Sequence, residues 1–99
     1  SILKSIHMNV PGAYQSIPTI PELISMSATL SSDNNLVGRS ISDAENKIGC
    51  RIVMIERTNE EGSVEVQIPT QVESLEMSDK IYIFLEKSDI KRVERSLEN

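Results

Sequence analysis

Apolar and small polar residues alternate along the chain from position 24. Four apolar side chains are each separated by a hydroxyl side chain, which is the period of a strand with one buried face: Ile24, Met26, Ala28 and Leu30. The polar residues 31–35 interrupt this alternation. The pattern therefore predicts that the ordered domain begins with a half-buried strand.

A short helix is predicted next. Ser42 and Glu45 form an S-x-x-E capping box, in which serine begins the helix and glutamate bonds back to it. Ile41, Ala44 and Ile48 are three or four residues apart and share one face, and Gly49 is placed to end the helix. A helix this short is not stable alone, so it must pack on a sheet.

Three further strands are predicted. Residues 52–55 are continuously apolar, which is typical of a strand covered on both faces. Residues 58–62 have the length of a hairpin turn, and Val64, Val66 and Ile68 then alternate with polar residues. Pro69 ends that strand, because proline cannot donate to a central ladder. Residues 80–86 form the last strand.

The end of the chain contains a loop, a tight turn and a second helix. Leu75 is expected to fill the loop as an apolar plug, and Asp79 to close the turn at 78–79 by accepting backbone N–H bonds. Ser88 or Asp89 caps the final helix, on which Ile90, Val93 and Leu97 share the buried face. Arg92 lies on the opposite face, where replacement by alanine is expected to be nearly silent.

The element order β-α-β-β-β-α predicts an α+β domain with a small mixed sheet and helices packed on it. The crossover helix makes a parallel pairing possible, whereas the hairpin is antiparallel. So little helix leaves apolar surface uncovered, which favours a homodimer. The domain is assigned to residues 22–99. Residues 1–21, punctuated by Pro11, Pro18 and Pro21, are interpreted as a linker or a tail, part of which resembles a vector-derived remnant.

Charge and composition exclude several classes of protein. A net charge of −5 argues against nucleic acid as a partner. No apolar run approaches the roughly 18 residues of a membrane span, so direct membrane insertion is not expected. Cys50 is the only cysteine, which rules out an internal disulfide and suits a cytoplasmic location.

The sequence contains few side chains that could carry out catalysis or bind a metal ion. His7 is the only histidine and has no acidic or nucleophilic neighbour, so no catalytic residue is assigned and no enzyme activity is expected. No GxGxxG motif follows a strand, and no cofactor is expected. The acidic residues around the hairpin are interpreted as a solvated surface; a weak divalent-cation site, with no metal ligand assigned, is the alternative. They are Glu56, Glu60, Glu61 and Glu65.

Basic residues near the second strand are candidates for binding an anion. Arg51 and Arg57 are six residues apart, which in a regular strand places them on one face, and Lys47 is close in sequence. Arginine suits bidentate phosphate contacts, although each could instead pair with a nearby glutamate. Cys50 is interpreted either as a half-buried small residue or as a thiol whose pKa Arg51 lowers.

Four segments together resemble the TrkA-C (RCK-C) domain: LVGRS at 36–40, IGCRIVMIER at 48–57, QIP at 67–69 and LEMSDKIYIF at 75–84. The family pattern is similar, with a small-residue helix start, a glycine before an apolar strand ending in arginine, an I-P strand end, and L-x-x-G-D before another strand. The resemblance covers about residues 24–97. Ser78 stands where the family usually has glycine, so a different backbone is expected at that turn.

The resemblance implies a regulatory domain of cytoplasmic rings that gate potassium channels and transporters. Such domains pair as dimers and reach the membrane transporter or channel subunit through the full-length protein. Some members bind cyclic di-AMP, a small anionic nucleotide, between two subunits, and the matching positions here are Cys50, Arg51, Ile52 and Pro69. Glu45 stands where those members carry a basic residue. A structural dimerisation module without a ligand is the alternative function.

Overall fold

A computed structural model describes residues 23–98, which form four strands and two helices. The strands are β1 (Leu23–Thr29), β2 (Ile52–Thr58), β3 (Val64–Gln67) and β4 (Lys80–Glu86); the helices are α1 (Ile41–Ile48) and α2 (Ile90–Leu97). Two 3-10 turns, Pro69–Gln71 and Lys87–Asp89, follow β3 and β4. This confirms the α+β class and the predicted element order. The predicted linker or tail at 1–21 lies outside the described residues.

The four strands form one sheet in the order β1-β4-β2-β3, and all three pairings are antiparallel. The expected mixed sheet is therefore wrong in this one respect. The crossover through α1 does join two strands that run in the same direction. However, β4 lies between β1 and β2 and pairs with both, so the parallel strands never bond to each other.

The core lies between one face of the sheet and the two helices. The sheet contributes Ile52, Ile55, Ile81, Ile83 and Leu85, and the helices contribute Ala44, Ile48 and Val93, all of them buried. Leu75 is 1% exposed, which confirms its role as the apolar plug of its loop. Its N–H donates to the Arg39 carbonyl and its own carbonyl accepts from Gly38, so the plug also ties two loops together.

Strand β2 is covered on one face only, contrary to the prediction from its apolar run. Its pairing with β4 shifts register between Ile52 and Met54, where a bulge interrupts the ladder. The bulge allows both Ile52 and Ile55 to face the core, although they are three residues apart. Val53 is consequently left 37% exposed. The apolar run reflects this irregularity and not a second covering layer.

Helix α1 begins two residues earlier in the chain than the predicted capping box at Ser42 and Glu45. Ser40 is the N-cap, and its hydroxyl accepts from the Asp43 N–H at 3.1 Å. Glu45 does not bond back to the start of the helix, because its carboxylate binds the chain that follows. Gly49 ends the helix with a φ of 73°, as predicted, in the left-handed region that favours glycine.

The tight turn before β4 is built around a buried carboxylate. Asp79 is 1% exposed, and its Oδ2 accepts from the Glu76 N–H at 2.8 Å, which confirms that it closes the turn. Ser78 has a φ of 72°. The turn therefore has the left-handed conformation that a glycine would adopt, and the expectation of a different backbone is wrong.

Replacing Ser78 with glycine is expected to stabilise the domain by about 0.5–1 kcal/mol. A left-handed residue with a Cβ costs roughly 1–2 kcal/mol, and the greater freedom of glycine in the unfolded chain offsets part of the gain. Urea unfolding at fixed pH measures the change. Ser88→Gly is the matched control, since Ser88 is exposed and lacks a positive φ, so it should not stabilise. A loss of stability at Ser78→Gly would show that the serine is not strained.

A groove at the end of helix α1

A groove of about 430 Å³ opens where α1 ends and β2 begins. Its walls come from the exposed side of α1 and from the connecting turn, and it is lined by Ser42, Glu45, Asn46, Gly49, Cys50 and Arg51. The left-handed turn at Gly49 produces it, because the chain reverses sharply there to enter the sheet. Two of the four predicted binding residues, Cys50 and Arg51, therefore lie in one concave site.

Glu45 fastens the turn that forms this groove. Its Oε2 accepts from the Ile52 N–H at 2.8 Å, and its Oε1 lies 3.7 Å from Nη1 of Arg51. The glutamate side chain is only 16% exposed, whereas the Arg51 side chain is 87% exposed. The carboxylate is thus directed at its own backbone, while the guanidinium remains accessible to a ligand.

The other two predicted binding residues contribute differently. Ile52 is 3% exposed, so its side chain belongs to the core and only its N–H takes part, as the partner of Glu45. Pro69 begins the 3-10 turn that packs beside β2, but it does not line the groove. Ile52 and Pro69 therefore support the groove or flank it.

Arg92 is the residue that the sequence interpretation missed. From α2, its Nη1 donates to the Ile48 carbonyl at 2.9 Å and its Nη2 to the Gly49 carbonyl at 3.4 Å. It neutralises the carbonyl end of α1, where a cation is favoured. A Cβ at position 49 would overlap this guanidinium, so Gly49 is needed for the approach as well as for its φ. These contacts contradict the interpretation of Arg92 as a solvated residue, so Arg92→Ala is expected to weaken the end of α1 instead of being nearly silent.

A family model of the TrkA-C domain matches residues 26–98, which is most of the chain and nearly all of its described part. The chain belongs to the TrkA-C domain family. This confirms the resemblance read from the sequence and makes the chain a regulatory domain of a potassium-transport system. No curated protein matches the chain.

The arginine near the end of β2 in this TrkA-C domain is not part of the groove. Arg57 lies at the far end of β2, where its Nε and Nη2 bind the two Asp79 oxygens at 2.9 and 2.8 Å. The predicted shared face of Arg51 and Arg57 is wrong, because Arg51 precedes the strand and the bulge shifts the alternation. Arg57 is therefore paired with acidic side chains, with the buried Asp79 as well as with a glutamate, Glu76.

Cys50 of the TrkA-C groove is half-buried, and it is not activated by its neighbours. Burial raises the pKa of its thiol above the ordinary 9.0, and the nearby Arg92 opposes this only in part. Arg92, and not Arg51, is the cation that acts on the thiol. These observations favour the small-residue interpretation over the reactive-thiol interpretation.

Alkylation of Cys50 by iodoacetamide is expected to be slower in the folded domain than in urea between pH 7 and 9. The thiolate is the reactive form, and the raised pKa keeps its population low. Because the folded pKa is raised, the associated stability is present below pH 9 and declines as pH rises through the folded pKa. Faster alkylation of the folded protein would contradict the assignment.

The acidic hairpin of the TrkA-C domain is organised by Asn59. Its Oδ1 accepts from the N–H groups of Glu61 and Ser63, and its Nδ2 donates to Glu65 at 3.0 Å. Glu60, Glu61 and Glu65 are exposed. Within residues 23–98, no group of three or more acidic, histidine or cysteine side chains is arranged to hold a metal ion. The hairpin geometry fits a solvated turn.

Neither helix in the described part of the TrkA-C domain is long and apolar enough to cross a membrane. His7 lies outside the described residues.

Proposed function

We propose that this TrkA-C domain is a cytoplasmic, non-enzymatic sensor that couples a small anionic nucleotide to a potassium channel or transporter. The supporting observation is the pair of guanidinium groups, Arg51 and Arg92, beside one groove of an otherwise acidic chain. Their side chains are 87% and 49% exposed. Arginine binds phosphate through charge-assisted, often bidentate contacts.

The proposed ligand is a dinucleotide with two phosphates, such as cyclic di-AMP, held between two subunits of a homodimer. A two-fold symmetric ligand meets the same groove twice, so each subunit supplies one Arg51. In this proposal Cys50 and Arg51 contact the ligand, Ile52 supports them from the core, and Pro69 flanks the site. The link to the membrane transporter or channel subunit runs through the parent protein.

Glu45 is the feature that opposes an anionic ligand. Its carboxylate lies on the groove wall, but it already accepts the Ile52 N–H and faces Arg51. These two contacts reduce the repulsion between the Glu45 carboxylate and a phosphate, but the carboxylate keeps its negative charge. The same residue favours the second candidate function, a dimerisation module of a gating ring that binds no ligand. Glu45→Gln separates the two, since glutamine still accepts the N–H and is neutral.

Arg51→Ala is expected to weaken binding of cyclic di-AMP by about two orders of magnitude or more. Each charge-assisted contact contributes roughly 1.5–3 kcal/mol, and the change removes one from each subunit. Titration calorimetry of the full chain measures this, with Arg95→Ala as the matched control on the exposed face of α2. Glu45→Gln should strengthen binding.

Parallel titrations with ATP and with a divalent salt distinguish the remaining alternatives. Dinucleotide binding that is unchanged in Arg51→Ala would move the site away from the groove. No binding of any of the three ligands would favour the structural module, and binding of the divalent salt alone would favour the weak cation site.

A further inference from the structure

We propose that the Glu45 carboxylate is an internal occupant of the anion site in the groove, and that a phosphate of the ligand has to displace it in order to bind. The inference rests on the proposed function and adds the regulation of that same site. Glu45 makes the two kinds of contact through which proteins bind a phosphate, because it accepts from a backbone N–H and faces a guanidinium group.

The carboxylate of Glu45 lies in the place that a bound anion would take. Its Oε2 is 2.8 Å from the Ile52 nitrogen, and its Oε1 is 3.7 Å from Nη1 of Arg51. Glu45 is also one of the residues that line the groove, so its carboxylate is part of the wall that a ligand contacts. A phosphate that approaches Arg51 therefore competes with the carboxylate for the same donors.

The contacts of Glu45 are weak enough to be exchanged, as a comparison with Asp79 shows. Asp79 is 1% exposed, and both of its oxygens accept from Arg57 at 2.9 and 2.8 Å. The Glu45 side chain is 16% exposed, and the Arg51 side chain that it faces is 87% exposed. An ion pair with so exposed a partner contributes little, and a released glutamate regains rotamer freedom. Asp79 is thus a structural carboxylate, whereas Glu45 can be displaced.

Displacement of Glu45 has to exchange one acceptor for another. The Ile52 N–H is part-buried, and a buried donor that loses its acceptor costs free energy unless another oxygen replaces it. A carboxylate tethered beside the site also acts at an effective concentration on the order of millimolar or above. Glu45 therefore sets a threshold: simple anions compete poorly, and a ligand with several simultaneous contacts displaces the carboxylate.

Calorimetry of the full chain with cyclic di-AMP tests the inference by comparing Glu45→Ala with Glu45→Gln. Both changes remove the negative charge, but glutamine still covers the Ile52 N–H and alanine does not. If Glu45 acted through repulsion alone, the two variants would bind equally well. We expect Glu45→Ala to bind about tenfold more tightly than Glu45→Gln, because the ligand then gains a contact to a free N–H.

Asp43→Ala is the matched control for this comparison. It removes one negative charge from the exposed side of the same helix, at a residue that does not line the groove. Its affinity for the dinucleotide should stay close to that of the wild-type chain. A gain equal to that of Glu45→Ala would assign the effect to net charge and overturn the inference.

Hydrogen exchange of the Ile52 amide gives a readout that a purely structural role of Glu45 would not change. We expect the amide to be protected in the wild-type chain, unprotected in Glu45→Ala, and protected again when potassium sulfate is added to that variant. Glu45→Gln at the same sulfate concentration is the reference, because sulfate also strengthens folding in general.

The wild-type chain provides an arm that needs no substitution. When cyclic di-AMP binds, the carboxyl carbon of Glu45 should move to the chemical shift of a solvated glutamate. A carboxyl signal that stays unchanged in the complex, or equal affinities of Glu45→Ala and Glu45→Gln, would overturn the inference. Dinucleotide binding that depends on Arg51 would still stand in that case, so the proposed function would survive.

The opposite pair of outcomes is also distinguishable. Sulfate that protects Ile52 in Glu45→Ala, without dinucleotide binding by any variant, would support Glu45 as the internal occupant and overturn the proposed ligand. A Glu45→Ala chain that sulfate neither refolds nor protects at Ile52 would overturn the inference, because the vacated site should then accept an anion.

Discussion

Val93→Asp is expected to unfold the domain at neutral pH. Val93 is fully buried and is the residue through which α2 enters the core. The change removes apolar contacts and places an unpaired carboxylate among aliphatic side chains, which costs several kcal/mol. Since domains of this size are stable by roughly 5–15 kcal/mol, most or all of the stability is lost. Far-ultraviolet circular dichroism and urea unfolding measure the effect.

Lys91→Asp is the matched control, because it introduces the same aspartate two residues earlier on the same helix. Lys91 is exposed and lies in the first turn of α2, where a negative charge is favoured by the helix dipole. Its effect should remain within about 0.5 kcal/mol. Equal, small effects from both substitutions would show that α2 does not dock.

The parts of the fold that depend on local pattern were predictable from the sequence. The period-2 alternation predicted β1, and Gly49 predicted the end of α1. The spacing of Ile90, Val93 and Leu97 predicted the face of α2 that packs on the core. Each of these signals acts within a few residues. The groove itself follows from such a signal, because the left-handed Gly49 sets the turn that lines it.

The contacts that could not be predicted from the sequence join residues far apart in the chain. Arg92 reaches Ile48 and Gly49 across more than forty positions, and nothing in the pattern of α2 distinguishes it from a solvated arginine. The bulge in β2 is also set by tertiary pairing, because β4 pairs its Ile83 with Ile52 and its Ile81 with Ile55. One inserted residue reverses the alternation that follows, so Arg51 and Arg57 were assigned to one face in error.

The order of the strands in the sheet could not be predicted from the sequence for a related reason. A β-α-β crossover indicates two strands of the same direction, but it does not say whether another strand lies between them. Here β4 returns from the end of the chain and occupies the central position beside both β1 and β2. The edge position of β1 was therefore accessible only from the structure.

Arg57→Ala is expected to destabilise the domain by about 3–5 kcal/mol, the usual cost of breaking a buried ion pair. Asp79 is 1% exposed, and both of its oxygens accept from Arg57, one of them also from the Glu76 N–H. The hydrogen bond to Asp79 is the main cause that raises the pKa of Arg57. Removing the arginine leaves a buried carboxylate with only a backbone partner. The Ser74 carbonyl, which accepts from Nη2, also loses its donor.

Glu76→Ala isolates the contribution of burial, since Glu76 binds the same guanidinium at 3.1 Å but its side chain is 60% exposed. An exposed ion pair contributes at most about 1 kcal/mol, so the two variants should differ severalfold in lost stability. Urea unfolding of both variants in the same buffer gives the comparison. Raising the salt concentration should reduce the Glu76 effect and leave the Arg57 effect nearly unchanged, because buried pairs are screened much less. Equal losses from the two substitutions would show that Asp79 does not need its arginine, and the turn before β4 would then be held by backbone bonds alone.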